Sequence, residues 1–218
     1  MLSTFYIYPF SSVKNYSWLL LKHLINAWKI YTVYPMNSNN SKKYQHSDII
    51  ALVRQRAENL YENHRLCCSE SLLLVLNHGF NGGLTAEQAK QLGAGFCGGI
   101  GEAGCTCGAL SGAIMGFGLL AGPHAKGGMN KKNFRQLAKT MHDRFHEHFS
   151  STCCRVLIQP FDKDKKGRSK FCADLTGTTA AMVAELLLET RPDLAQNTQH
   201  DYLATRDSKI SGFFKKLA

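Results

Sequence analysis

Residues 96–112 read FCGGIGEAGCTCGALSG, and this glycine- and cysteine-rich stretch guides the interpretation of the whole chain. Three thiols, those of Cys97, Cys105 and Cys107, fall within eleven residues, and a helical pattern begins directly after the third. Glycine permits unusual backbone dihedrals and close approach of other groups. A cysteine at a helix start meets the positive end of the helix dipole, which favours thiolate over thiol. The stretch therefore predicts sulfur chemistry, with Cys107 as the nucleophile of low pKa.

The helix predicted after this stretch, over residues 107–120, carries three glycines spaced four residues apart. Gly108, Gly112 and Gly116 therefore share one helix face. Each glycine inside a helix costs about 1 kcal/mol relative to alanine, so three on one face indicate that another group packs closely there. A helix of the same chain, a helix from a second subunit in a homo-oligomer, or a cofactor would each fit such a face.

Helical periodicity extends to both sides of this region, and no strand alternation is evident. Residues 162–170, rich in lysine, are predicted as a basic loop before a final core helix. The sequence thus predicts an all-α protein, a compact helical bundle with a Gly/Cys-rich loop. The other predicted helices cover residues 47–60, 68–76, 85–93, 131–149, 153–158 and 172–189.

Composition divides the chain into three parts. Residues 1–45 form an N-terminal extension, residues 46–192 the cysteine-containing helical domain, and residues 193–218 a basic C-terminal tail. The whole net charge of +10 lies in residues 1–48, 162–170 and 206–218, and the rest of the chain is neutral. Because a nucleic-acid-binding face needs positive charge on the folded body, we expect no nucleic-acid partner.

The N-terminal residues 1–35 are rich in aromatic residues and leucine. Lysines interrupt the run before it reaches the roughly 18–20 apolar residues of a membrane-spanning helix. Two interpretations remain open: an irregular or spuriously translated extension upstream of Met36, or a segment lying in a membrane interface, aided by the basic residues 209–217. No secretion-signal layout is evident, so we expect a cytoplasmic protein, with membrane association as the alternative.

The eight cysteines fall into three groups along the chain. In a reducing compartment, such thiols are more often catalytic or metal-binding than joined in structural disulfides. No Cys-x-x-Cys pair is present, which argues against a thioredoxin-type dithiol and a zinc ribbon. Without Cys-x-x-Cys-His, covalent c-type haem attachment has no support. The groups are Cys67 and Cys68; Cys97, Cys105 and Cys107; and Cys153, Cys154 and Cys172.

Five short segments together resemble the C_GCAxxG_C_C family, which is described as redox-active from its cysteines. Four spaced cysteines and a Cys-Gly-Ala-x-x-Gly core mark that family, and the resemblance covers roughly residues 50–190. Gly108, Ala109 and Gly112 complete the core here, while Cys67, Cys97, Cys105 and Cys153 are additions to the family pattern. The segments are CSES (68–71), FCGGIG (96–101), CGALSG (107–112), CRVL (154–157) and CADL (172–175), and the cysteines at the four family places are Cys68, Cys107, Cys154 and Cys172.

The resemblance implies a redox site built from these four cysteines, and two chemistries remain open. In the first, Cys107 attacks and one of the other three cysteines resolves the mixed disulfide with an unknown redox partner. In the second, the four thiolates hold an iron–sulfur cluster, as the family's similarity to split-Soret cytochromes also implies. The residues expected beside a cofactor are Cys97, Cys105, Gly108 and Gly112.

Overall fold

The computed structural model describes residues 45–63 and 66–208, and within these ranges the regular elements are all helical. This confirms the all-α prediction. Two 3₁₀ turns, Gln159–Phe161 and Pro192–Asn197, connect the later helices. The α-helices are α1 (His46–Asn63), α2 (Cys68–Gly79), α3 (Ala86–Ala94), α4 (Gly108–Ala121), α5 (Lys131–Phe149), α6 (Cys154–Ile158), α7 (Lys165–Thr190) and α8 (His200–Ala204).

The helix boundaries follow the sequence pattern closely, with one exception. Thr85 and Gln88 form a capping box at the start of α3. Helix α7, however, begins at Lys165 rather than Cys172, so the prediction of a basic loop over residues 162–170 was wrong. Asp164 caps this start by accepting a hydrogen bond from the Gly167 N–H at 2.8 Å. Lysine and arginine are also good helix formers, and they extend the helix toward solvent.

Helix α7 lies at the centre of the bundle and packs against α1, α2, α4 and α5. Burial of apolar side chains from these five helices supplies the main driving force for folding. Helix α5 contributes an apolar stripe through Leu137, Met141 and Phe145, all buried. The largest fully buried side chains are Phe80, Phe117, Phe145, Ile49, Leu72, Leu73, Leu76, Met141, Leu175, Leu187, Leu188 and Leu203.

The glycine face of α4 packs against α2 of the same chain. A side-chain carbon added at Gly112 would lie 3.0 Å from the Ser69 carbonyl oxygen and 3.0 Å from Leu72 Cβ. Gly116 faces Leu76 one turn further along. Of the alternatives for this face, the structure places a helix of the same chain, α2, against it.

The Gly/Cys-rich loop between α3 and α4 is folded tightly on itself. The Gly101 N–H bonds to the Gly95 carbonyl at 3.0 Å, and the Gly104 N–H bonds to the Gly98 carbonyl at 3.2 Å. Gly99 has a φ of 76°, and a carbon added there would lie 2.8 Å from Cys154 Cβ. Only glycine combines that dihedral with that contact, so the loop can lie directly against the start of α6.

The described part of the predicted C-terminal tail is folded against α1. Arg56 Nη1 lies 2.7 Å from Asp207 Oδ2, and both residues are buried. Arg56 also lies over the ring of Tyr202, 5.0 Å from its centroid. The charged segment up to residue 208 is consequently part of the bundle.

Two other predictions concern membranes. Residues 1–35 and 209–217, the predicted interfacial segments, lie outside the described residues. Among the helices of the described ranges, α7 alone is long and apolar enough to cross a membrane, and 72% of its apolar window is buried inside the protein. A core helix of a bundle has the same properties.

Candidate redox site

Four thiols from four different helices interact with one another in a region that we call the four-thiol cluster: Cys68, Cys107, Cys154 and Cys172. The Cys68 and Cys172 thiols share a hydrogen bond. Cys107 interacts electrostatically with all three other members, and Cys154 interacts with Cys172. These cysteines are up to 104 positions apart in the chain (68 to 172), and the fold brings them together.

Three of the four thiols lie at helix starts. Cys68 is the first residue of α2, Cys107 caps α4, and Cys154 is the first residue of α6. The N-terminus of a helix carries unpaired N–H groups and a partial positive charge, so it favours negative charge nearby. At each of these three ends the helix dipole favours the thiolate, and burial of the thiol opposes it.

Backbone pairing holds the start of α4 against the start of α6. The Cys107 N–H donates to the Thr152 carbonyl at 2.8 Å, and the Cys154 N–H donates to the Cys105 carbonyl at 2.8 Å. These bonds flank an antiparallel bridge between Thr106 and Cys153. Because these main-chain hydrogen bonds fix both segments, they also fix the positions of Cys107 and Cys154 in the cluster.

Close packing of α2 on α4 brings in the third thiol. A carbon added at Gly108 would lie 3.5 Å from Cys68 Cβ and 3.4 Å from the Ser69 nitrogen. Ser69, fully buried, anchors the same turn by donating a hydrogen bond to the Gly93 carbonyl at 2.7 Å. The motif glycines Gly108 and Gly112 thus allow α2 to pack closely and place Cys68 beside Cys107.

Cys172 is the thiol of the cluster that is best suited to ionise. The Cys68 thiol donates a hydrogen bond to its sulfur, and this is the largest cause that lowers the pKa of Cys172 to about 7. A hydrogen bond from the Tyr61 hydroxyl and the positive charge of Arg168 also lower the pKa of Cys172, whereas burial raises it. About half of the Cys172 thiol is therefore ionised near pH 7.

Cys107 differs from the expectation based on its helix start. Burial raises the pKa of its thiol to about 12, although the backbone N–H groups of Ala109 and Leu110 oppose this rise. Cys107 is only 3% exposed, and desolvation of a thiolate at such a position outweighs the helix dipole. The prediction of a low pKa at Cys107 was wrong, and Cys172 has that property instead.

The other two thiols of the cluster hold their protons. Hydrogen bonding to Cys172 and burial raise the pKa of Cys68 well above its ordinary value. Burial raises the pKa of Cys154 as well. Near neutral pH, Cys172 is therefore the member of the cluster that carries negative charge, and its three neighbours are protonated.

The cysteines outside the family pattern have separate positions. Cys67 and Cys97 form a disulfide, with 5.6 Å between their Cα atoms. Cys105 is exposed, and the Cys153 thiol donates to the Gly104 carbonyl at 2.9 Å. Cys97 and Cys105, both predicted beside a cofactor, are thus not among the four thiols that interact.

The distances between side-chain atoms that could bind a metal ion single out one group of residues. In the described ranges, the set of Cys67, Glu70 and Cys97 is the only one whose ligand atoms all lie within 4.8 Å of one another. Thiolates on one tetrahedral zinc are about 3.8 Å apart, given Zn–S bonds of about 2.3 Å. No three sulfurs of the four-thiol cluster therefore lie within 4.8 Å of one another in these ranges.

Sequence reasoning missed the residues that act on Cys172. Arg168 lies four residues before Cys172 on α7, so its helical spacing would have been visible had residues 162–170 been interpreted as helix. Tyr61, on α1, carries no recognisable signal in the sequence. The Cys67–Cys97 pairing also had none, because the two residues belong to no known spacing motif.

The fold and the site define a helical bundle with a buried cluster of cysteine thiols. The family model described as "Putative redox-active protein (C_GCAxxG_C_C)" matches residues 66–186, and the chain belongs to this family. Helix α1, and with it Tyr61, precedes the matched region. No curated protein and no solved structure matches the chain.

Proposed function

We propose that the protein is a thiol–disulfide oxidoreductase whose working couple is Cys68 and Cys172. The observation that carries the proposal is the contact between an ionised Cys172 sulfur and a protonated Cys68 thiol. A thiolate is the attacking species in disulfide exchange, and a thiol of pKa near ambient pH is the optimal attacker. The neighbouring thiol then completes the reaction.

The first step forms a mixed disulfide with a small disulfide substrate. The Cys172 thiolate attacks one substrate sulfur, the substrate S–S bond breaks, and the other half leaves as a thiolate. Arg168 is exposed one turn before Cys172, which itself is 9% exposed. Cys172 itself is buried, so the proposal requires a small substrate to approach its sulfur from the side of the exposed Arg168.

The second step closes the protein disulfide. Cys68 gives its proton to the substrate half released in the first step, which becomes a thiol, and the Cys68 sulfur then attacks the Cys172 sulfur of the mixed disulfide. The bond to the substrate breaks, the second half leaves as a thiolate, and a Cys68–Cys172 disulfide forms. Two electrons have then moved from the cysteine pair to the substrate, and an external dithiol restores the pair by the reverse exchange.

The test is equilibration of the full chain in glutathione redox buffers, followed by alkylation and peptide mapping. We expect a Cys68–Cys172 disulfide under oxidising conditions and an alkylation rate at Cys172 that rises with an apparent pKa of about 7. Cys172→Ser should abolish the couple, whereas Cys105→Ser, which alters an exposed thiol outside the cluster, should leave it intact. Failure of Cys68 and Cys172 to pair at any buffer potential would overturn the proposal.

A second candidate function is iron–sulfur electron transfer. It is favoured by the number of converging thiols and by the three helix starts beside them. Cys68, Cys107, Cys154 and Cys172 would be the ligands, and the cluster would supply one-electron chemistry. Iron and acid-labile sulfide analysis after anaerobic purification distinguishes the two functions, because a bound cluster would occupy the sulfurs that the disulfide needs.

A further inference from the structure

We propose that Cys67 and Cys97 form a second redox pair, which re-reduces the Cys68–Cys172 disulfide by intramolecular exchange. This inference rests on the proposed function and assigns the route by which electrons return to the buried couple. Cys67 and Cys97 are both half-buried, so an external dithiol has access to them. Neither residue belongs to the four cysteines of the family pattern.

The disulfide lies directly beside the four-thiol cluster. Cys67 precedes Cys68 in the chain and caps α2. A carbon added at Gly108 would lie 2.9 Å from the Phe96 carbonyl oxygen and 3.5 Å from Cys68 Cβ. The peptide that leads into Cys97 and the side chain of Cys68 therefore border the same small gap, which glycine leaves open.

Opening of the Cys67–Cys97 bond leaves the surrounding structure supported. Glu70 accepts a hydrogen bond from the Cys67 N–H at 2.8 Å and so holds the start of α2. The loop retains its own main-chain bonds, including that from the Glu102 N–H to the Cys97 carbonyl at 3.0 Å. The pair can thus cycle between disulfide and dithiol without unfolding the loop.

Mass action sets the direction of electron flow. Cys67 and Cys97 are half-buried, so an external dithiol can reduce the bond between them. The reduced pair then exchanges with the Cys68–Cys172 disulfide, and the excess of external dithiol drives this exchange toward free Cys68 and Cys172.

The exchange proceeds in two steps. The Cys97 thiol loses its proton to solvent and its sulfur attacks Cys68, so that the Cys68–Cys172 bond breaks and Cys172 leaves as a thiolate. The Cys67 sulfur then attacks Cys97, the Cys97–Cys68 bond breaks, and the proton of Cys67 passes to Cys68. Two electrons have then moved from Cys67 and Cys97 to the Cys68–Cys172 couple.

The structure corresponds to the end of this exchange. Cys67 and Cys97 are joined, while Cys68 and Cys172 are free thiols. An external dithiol would next reduce the Cys67–Cys97 bond and supply the two electrons and two protons for another cycle.

The decisive experiment uses the full chain with Cys67→Ser, which removes the thiol that completes the second step. After oxidation of Cys68–Cys172 with oxidised glutathione in this variant, peptide mapping should find a trapped Cys68–Cys97 disulfide and a free Cys172. A Cys68–Cys172 bond that persists beside a free Cys97 would overturn the relay.

A rate measurement gives a second, independent test. Re-reduction of the Cys68–Cys172 bond by dithiothreitol should be at least tenfold slower in Cys97→Ser than in the wild type, and unchanged in Cys105→Ser. Equal rates in Cys97→Ser and wild type would overturn the relay alone. Absence of any Cys68–Cys172 bond in the wild type would overturn the proposed function together with the relay.

Discussion

At the scale of single residues, the candidate site depends on opposing effects that act on chemically identical thiols. Burial dominates at Cys107 and holds its pKa at about 12. At Cys172, hydrogen bonding from Cys68 outweighs burial and lowers the pKa to about 7. The sequence motif marks both positions equally, so the assignment of a nucleophile depends on surroundings that no motif describes.

Tyr61→Phe tests one of these surroundings. Loss of the hydroxyl removes a hydrogen-bond donor to the Cys172 thiolate, and a change of about one pKa unit corresponds to about 1.4 kcal/mol. We expect the pKa of Cys172 to rise by about one unit and its alkylation at pH 7 to slow about fivefold. Tyr202→Phe is the control, because that buried ring faces Arg56. An unchanged Cys172 pH profile in Tyr61→Phe would contradict this role.

Thiols that remain protonated inside the protein make its stability fall in alkaline solution. The Cys107 thiol has a folded-state pKa of about 12 against an ordinary value of 9.0. Between these values the unfolded chain loses this proton and the folded chain keeps it. The contribution of Cys107 to the free energy of unfolding is fully present below pH 9. Above that pH it falls by about 1.4 kcal/mol per pH unit, up to about pH 12.

Urea unfolding at several pH values between 9.5 and 11 measures this effect. Cys107→Ala should make the decrease in unfolding free energy shallower by about 1.4 kcal/mol per pH unit. The exposed Cys105, changed to alanine, should leave the slope as in the wild type. Parallel slopes for Cys107→Ala and wild type would show that Cys107 does not retain its proton.

At the scale of elements, helix contacts rather than helix propensities place the thiols. Helix α4 contains four glycines, which disfavour an isolated helix. Their absent side chains allow α2 to lie close enough for Cys68 to reach Cys107. Close packing of α2 on α4 offsets the low helix propensity of these glycines, which therefore help to position the thiols of the site.

Two glycines of α4 give a matched pair of substitutions. Gly112→Ala adds a carbon 3.0 Å from the Ser69 carbonyl oxygen, and overpacking of this kind costs about 1–3 kcal/mol. The helix gain of about 1 kcal/mol offsets part of this cost, so we expect a net loss of up to about 2 kcal/mol. Gly118→Ala, whose added carbon meets nothing nearer than 3.9 Å, should stabilise by about 0.5–1 kcal/mol. Thermal unfolding of both variants checks the contrast, and equal shifts would refute it.

At the scale of the whole molecule, residues 200–208 complete the bundle around α1. Leu203 is fully buried, and the Arg56–Asp207 ion pair is enclosed with it. A buried ion pair contributes little net stability over an apolar pair, but removal of one partner leaves a costly unpaired charge. The segment up to residue 208 is therefore part of the folded core even though it lies beyond the family match.

Asp207→Ala should destabilise the protein by about 3–5 kcal/mol, because it leaves the buried guanidinium of Arg56 without its carboxylate. Urea unfolding midpoints measure the change. Asp143→Ala breaks an exposed ion pair with Lys139 and should cost less than about 1 kcal/mol. Similar losses in both variants would show that burial of the Arg56–Asp207 pair is energetically unimportant.

The sequence by itself determined the helical class, most helix boundaries and the four motif cysteines. Apolar spacing, the capping box at Thr85 and the cysteine pattern are local signals, and they can be recognised without knowledge of the partners. Residues 162–170 were an exception, because their charge was typical of a loop while Asp164 and good helix formers extended α7. Only the tertiary structure decided which thiol ionises, which cysteines pair and what covers the glycine face. Those properties depend on desolvation and on contacts between residues distant in the chain, such as Tyr61 with Cys172 and Cys67 with Cys97.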